Sequence, residues 1–324
     1  MTYLHSKLVA AWLTAAVAVL PAALPAQAQD LELTITAPAG AGGGWDSAAR
    51  SLQDVMMSTG AARSVQVINV PGAGGTVGLA QFVQSAEGSP NQMLVGGITM
   101  VGAIITNDAP YDLTKVTPIA RLTGDPLVIV VPSSSPYKTM ADLIEGIKKD
   151  VGRTIWAGGS AGGADHILAA LVTQAAGEDP AKVNYVAYSG GGESLAAMLG
   201  GQVTAGVSGY GEWQGQIESG DLRALAISYP EPIEGIEAKP LKEQGYDIEL
   251  VNWRGIFAGP GISDADKATL SAAVEKTVKS PEWQELIKAR GWADYYASSD
   301  EFATFIATET DRVHAILSSI GLAQ

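Results

Sequence analysis

Leu31, Leu33 and Ile35 alternate with polar positions, which predicts a strand. Residues 37–46 follow, reading A-P-A-G-A-G-G-G-W-D, and Ala48, Ala49, Leu52, Val55 and Met56 then recur on one face of a helix. The same order of elements returns three times. A strand at 65–70 enters P-G-A-G-G-T-V-G (71–78) and a helix begun by Leu79, Ala80, Phe82 and Val83. A strand at 155–157 enters G-G-S-A-G-G (158–163) and a helix to about residue 176. A strand at 183–188 enters S-G-G-G-E (189–193) and a further helix. Other apolar runs predict strands at 93–96, 119–122, 127–131, 203–207, 222–227, 252–258 and 293–296. Thr139 with Asp142 forms a capping box for a helix through 149. Ser263, Ser280-Pro281 and Ser299 open three C-terminal helices.

Strands that alternate with helices argue for an α/β protein with parallel sheets, whose ligands bind beyond the carboxyl ends of the strands. Glycine lets a backbone turn its N–H groups toward one point and lets a ligand approach. The start of the following helix adds unpaired N–H groups and a partial positive charge. Four such loops, two before residue 100 and two between 155 and 200, would surround a small anion from both sides of a cleft. Apolar runs at 127–131 and 255–258 bracket a middle lobe and are expected to be the crossings between lobes. The expected division is 29–126 plus 255–324 in one domain and 127–254 in the other.

Charge narrows the partners. Acidic residues outnumber basic ones 34 to 20, for a net charge of −14. Nucleic acid is therefore not expected, because its binding needs clustered Lys and Arg. An anionic ligand would have to rely on local donors. Cysteine is absent, which excludes disulfides, thiolate catalysis and cysteine–zinc sites. No metal or other cofactor is expected. Residues 1–28 read as a secretory leader: His5 and Lys7 precede an apolar run at 8–20, Pro21 and Pro25 break it, and Ala26-Gln27-Ala28 offers a cleavage site after Ala28. The run is too short to span a bilayer comfortably. No cysteine follows it to carry a lipid, so an exported, soluble chain is expected.

Nucleotide motifs fail. No glycine loop carries the lysine of a Walker sequence, and Val77 stands where G-x-G-x-x-G needs its last glycine. Gly158-Gly159-Ser160-Ala161-Gly162 does match G-x-S-x-G between a strand and a helix, so an esterase with Ser160 as nucleophile is the rival reading. His314 would have to be its base, since His166 leaves the same loop. Asp46 is either a helix-start carboxylate or a ligand or water contact. Trp45 either walls the cleft or packs. Tyr210 and Trp213 have the same two readings. Arg254 either pairs with a ligand carboxylate or lies at the surface.

Taken together, A-P-A-G-A-G-G-G-W-D, N-V-P-G-A-G-G-T-V-G (69–78), G-G-S-A-G-G-A-D-H (158–166), Y-S-G-G-G-E (188–193), L-G-G-Q-V (199–203) and N-W-R-G-I-F-A (252–258) resemble the periplasmic receptors of tripartite tricarboxylate transporters, the Bug-type group. The resemblance covers essentially the whole mature chain. It implies a two-lobed binding protein, type II-like, with two α/β domains joined by two crossing strands. It also implies a receptor, expected to be monomeric, that closes on an organic carboxylate and passes it to a membrane permease. A sensor that presents its ligand to a membrane kinase would have the same site. By position, the resemblance assigns ligand contacts to Gly43, Gly44, Trp45 and Asp46, to Ala73, Gly74, Gly75 and Thr76, and to Thr99. From the facing lobe come Ser160, Ala161, Ser189, Gly190 and Ser208, with Arg254 as a further candidate. G-G-G-W-D and W-R-G (253–255) resemble the tricarboxylate branch, which implies a citrate-like ligand. Thr204 departs from the aspartate of many relatives. A hydrogen bond to a charged group contributes roughly 1.5–3 kcal/mol, so three or four supply micromolar affinity, about 8 kcal/mol.

Overall fold

The computed structural model describes residues 31–188 and 191–323. The leader expected at 1–28 lies outside the described residues, as do Ser189 and Gly190. The first half of the chain runs β1 (Glu32–Ala37), α1 (Gly44–Ser58), β2 (Ser64–Asn69), α2 (Thr76–Ser85), β3 (Gln92–Gly97), α3 (Ile98–Thr106), β4 (Thr117–Pro132) and α4 (Met140–Lys149). It continues with β5 (Ile155–Gly158), α5 (Ala164–Ala175), β6 (Asn184–Ala187), α6 (Gly191–Leu199), β7 (Ala205–Gly209), α7 (Tyr210–Glu218) and β8 (Leu222–Ile227). The last stretch is β9 (Val251–Ala258), α8 (Asp264–Val278), α9 (Pro281–Ala289), β10 (Ala293–Ala297) and α10 (Ser299–Ser319).

All four strand–glycine loop–helix units form, and α4 starts on the expected capping box of Thr139 and Asp142. The strands are arranged β2-β1-β3-β9-β4-β7-β5-β6, with β10 and β8 added on β4. Pairing is parallel where glycine loops follow the strands, β1 with β2 and β3, and β5 with β6 and β7. Around β4 and β9 it is antiparallel, so the expectation of parallel sheets holds only for the outer strands of each lobe.

The two lobes share β4. Up to Pro126, which faces Val251, it pairs with β9; from Leu127, which faces Gly209, it pairs with β7. The runs at 119–122 and 127–131 are therefore one continuous strand of 16 residues. Among the described residues β9 pairs with β3 and β4 alone, so 255–258 sits within the first sheet. The return passes through Ser228 and Leu250. The Ser228 amide donates to Leu127 O (2.9 Å), its Oγ donates to Leu250 O (2.5 Å), and the Leu250 amide donates to Ser228 O (3.0 Å).

Trp156, Trp213, Trp253 and Trp283 are fully buried; one apolar cluster runs through both lobes, and a second, separate cluster lies in the lobe of β7 and β8. Tyr210 and Trp213 belong to it: Trp213 donates to Gly191 O at 2.9 Å. Two helices arise where the sequence reading placed none. One is α3, directly after β3, and the other is α7, directly after β7. Each places a polar residue at the cleft, Thr99 and Glu212.

Candidate functional site

A cavity of about 680 Å³ opens between the lobes, large enough for a small organic acid. All four glycine loops reach it. Of the residues assigned by resemblance, Gly43, Gly44, Trp45, Ala73, Gly74, Gly75, Thr99, Ser160, Ala161, Ser208 and Arg254 line the cavity. Asp46 and Thr76 fall outside that lining.

The first loop is held from behind. Asp46 is buried (3 % exposed) and accepts from the Gly42 amide at 2.8 Å, Asn69 Nδ2 at 2.9 Å and Arg50 Nε at 3.0 Å. Burial alone would raise its pKa, but these hydrogen bonds and the Arg50 charge bring it below the ordinary carboxylate value. Asp46 is thus ionised and committed to the loop. In front of it, α1 has no side-chain cap, so the amides of its first turn at Gly44 and Trp45 keep no intrahelical acceptor. Trp45 both packs and walls. Its ring lies 2.5 Å from where a β-carbon on Gly75 would stand, so only glycine lets the second loop close on the first. That second loop bends through positive φ at 72–75, and Ala73 takes φ 44°, a conformation that costs an L-residue roughly 1–2 kcal/mol.

The third loop carries a carboxylate of its own. Asp165 accepts the Gly159 amide at 2.7 Å. Burial lifts its pKa to about 7; the Gly159 N–H opposes this, while the charges of Glu212 and Asp125 add to it. Among the described residues Ser160 has no catalytic partner. His166 Nδ1 accepts the Gly162 amide (3.1 Å), its ring stacks on Tyr185 at 4.2 Å, and burial lowers its pKa to about 4. His314 lies on α10, beside Ser318. The G-x-S-x-G match is therefore a turn and not a nucleophile elbow.

The fourth loop is served by Glu212. It accepts from Ser208 Oγ (3.1 Å, at Oε2) and from the Gly191 amide at the start of α6. Burial raises its pKa against the pull of Arg254 and these hydrogen bonds. Three of the four glycine loops thus spend an amide on an internal carboxylate, which reading the glycines alone did not anticipate.

Arg254 is neither a surface residue nor a free clamp. It is 2 % exposed and ion-paired through Nη2 to Oδ2 of Asp125, itself 1 % exposed. Burial pushes Asp125 to about 7 despite the guanidinium, with the charge of Glu212 adding. Arg254 Nη1 and Asp125 Oδ1 are buried with no hydrogen-bond partner. Among the described lining residues Arg254 is the sole cation, beside Asp165, Glu193 and Glu212. No group of His, Asp or Glu among the described residues is placed to hold a metal ion, and no described helix is long and apolar enough to cross a membrane.

The lobes touch beside the cavity. The Ala164 amide donates to Thr99 Oγ1 at 3.2 Å. A β-carbon on Gly102 of α3 would meet Gly162 O at 2.1 Å. Sequence reasoning missed Asp125, Asp165 and Glu212 as parts of the site. Asp165 stood inside the quoted G-G-S-A-G-G-A-D-H motif, whereas T-G-D-P and G-Y-G-E-W carry no pattern that marks the other two.

Comparison with known proteins agrees with this architecture. A protein of Cupriavidus necator, described as the UPF0065 protein in the gbd 5′ region, is 29% identical over 310 residues, covering 94% of this chain and 93% of its own. The solved periplasmic binding protein BugD superimposes with a TM-score of 0.81 at 22% identity, covering 91% of this chain and 99% of BugD. MatC from Rhodopseudomonas palustris with bound malate gives 0.79 at 21% identity, covering 88% and 98%. Rpa4515 of R. palustris with adipate gives 0.81 at 20% identity, covering 90% and 98%. These structures share the two-lobed fold. The sequence profile described as "Tripartite tricarboxylate transporter family receptor" matches residues 48–322, so the chain belongs to that family of solute-binding receptors and is not an enzyme.

Proposed function

We propose that this chain is a periplasmic receptor that captures an organic carboxylate in the cavity between its lobes and delivers it to the permease of a tripartite tricarboxylate transporter. The observation that carries the reading is the convergence of the open amides of α1 and the Arg254 side chain on one cavity between the lobes. A carboxylate seated there satisfies both. The malate and adipate held by two proteins of the same fold support a carboxylate ligand. Within that class a citrate-like acid is the finer reading, supported by G-G-G-W-D at 42–46 and W-R-G at 253–255.

The remaining contacts come from the loops at 73–75 and 160–161, from Ser208, and from Ser189 and Gly190. The lobes divide as 29–126 plus 251–324 against 127–250, four residues earlier at the return than the sequence-based boundary of 254/255, because β9 lies in the first sheet from Val251 onward. Ligand that bridges them favours the closed form, because only that form makes both sets of contacts. The receptor acts as an exported monomer after removal of residues 1–28. Titration calorimetry on protein stripped of bound ligand tests the proposal, with citrate, malate, adipate and glucose as ligands. Micromolar heats with at least one acid and none with glucose are expected. Binding of glucose alone, or of no acid, overturns it.

A further inference from the structure

We infer that Glu212 is a specificity-determining residue that selects carboxylic acids bearing a hydrogen-bond donor, an ammonium or a hydroxyl group, next to the carboxylate. The inference rests on the carboxylate reading above and narrows it.

The geometry sets a carboxylate and a guanidinium beside the same residue of the cavity wall. Glu212 Oε2 accepts from Ser208 Oγ and the carboxylate also takes the Gly191 amide, while Oε1 is the oxygen turned toward Gly44. Oε1 lies 3.1 Å from the point a β-carbon on Gly44 would occupy, and Arg254 Nη2 lies 2.5 Å from the same point. The two side chains therefore flank the first residue of α1 from opposite lobes, and among the described residues no ion pair joins them. Arg254 spends its charge on Asp125 and keeps Nη1 unpartnered. A carboxylate at the start of α1 sits between the Arg254 guanidinium and Glu212 Oε1. A bare methylene there leaves Glu212 facing the ligand's anion with nothing between them. An ammonium or hydroxyl on the adjacent carbon donates to Oε1 and offsets that repulsion.

Charge balance points the same way. Glu212 lines the cavity beside Arg254, the single guanidinium among the described lining residues, which Asp125 already engages. A polyanion without a donor adds charge to a wall already negative. A donor-bearing acid brings its own compensation.

The test is calorimetry with matched sets on the wild type and Glu212→Gln: succinate, malate and aspartate; tricarballylate and citrate; phenylpropionate and phenylalanine. Glutamine keeps the shape and the Ser208 contact but loses the charge. In the wild type the donor-bearing member of the set that binds is expected to bind at least tenfold tighter than its bare partner. In Glu212→Gln that ratio is expected to shrink at least tenfold, the bare acid gaining affinity. A purely structural role would weaken all ligands together and leave the ratio unchanged. Equal affinities within the binding set, or a ratio indifferent to the substitution, overturn the inference and leave carboxylate capture standing. Absence of binding by every acid overturns the carboxylate reading and this inference with it.

Discussion

Asp125 and Arg254, 129 positions apart in sequence, form a buried ion pair at the point where β4 passes from one lobe to the other. Both charges are out of water, and each keeps one polar atom unsatisfied. Removing one partner strands the other, which costs about 3–5 kcal/mol. Asp125→Ala is expected to lose that much in urea unfolding, and Asp125→Asn, which still accepts from Arg254, distinctly less. Equal and small losses would mean the pair contributes little.

Asp46 is expected to control affinity without touching ligand. Asp46→Ala leaves the Gly42 amide and Asn69 without their acceptor and frees Arg50. The loop that presents Gly43 and Gly44 then loosens. Ligand affinity is expected to fall about tenfold, roughly one 1.4 kcal/mol step, with Asp46→Asn retaining part of it. Calorimetry on both variants measures this.

Closure depends on glycine at 102. A β-carbon there would stand 2.1 Å from Gly162 O, across the contact between α3 and the third loop. Gly102→Val is expected to hold the lobes apart, since a backbone oxygen cannot move away as a side-chain tip can. Small-angle scattering should show a larger radius of gyration with ligand present, and affinity should drop at least tenfold. The melting temperature of the ligand-free variant should change little.

The raised pKa of Asp165 makes the folded state bind a proton that the unfolded chain has already released. The stabilising proton is present below the unfolded value near 4 and is lost as pH rises through about 7. Asp165→Asn keeps an acceptor for Gly159 but cannot ionise. Its melting temperature relative to wild type is expected to climb between pH 4 and 7 and then level off. The ceiling is about 4 kcal/mol for three pKa units. A difference that is flat with pH would show Asp165 ionised throughout. His166 works in the opposite sense: burial keeps it neutral, so its share of stability falls as pH drops from 6.5 toward 4. Comparing wild type with the Asp165 variant cancels that share.

The repeated strand–loop–helix units were legible because alternation, glycine clusters and helical spacing are all local signals. The helix α3 was not, because I-T-M-V-G-A-I-I-T is apolar nearly throughout and offers no period to read. The short helix α7 hides behind two glycines and little amphipathic contrast in Y-G-E-W-Q-G-Q-I-E. The break expected at T-G-D-P lies inside β4, where Pro126 faces Val251 at the switch of partner from β9 to β7 and tertiary pairing overrides the local turn signal. In the site, the glycine loops announced themselves. The buried carboxylates around them did not, because Asp125, Asp165 and Glu212 acquire their meaning only from partners distant in sequence or folded over them.

One ribbon belongs to both lobes, and this restricts how the receptor can open. With β4 hydrogen-bonded to β9 on one side of Pro126 and to β7 on the other, the halves cannot slide past each other without unzipping a sheet. What stays available is torsion about that shared axle. The jaws therefore part at the rim, where Thr99 meets Ala164, while the floor under Arg254 keeps its shape. A captured solute meets a fixed anvil and a swinging hammer.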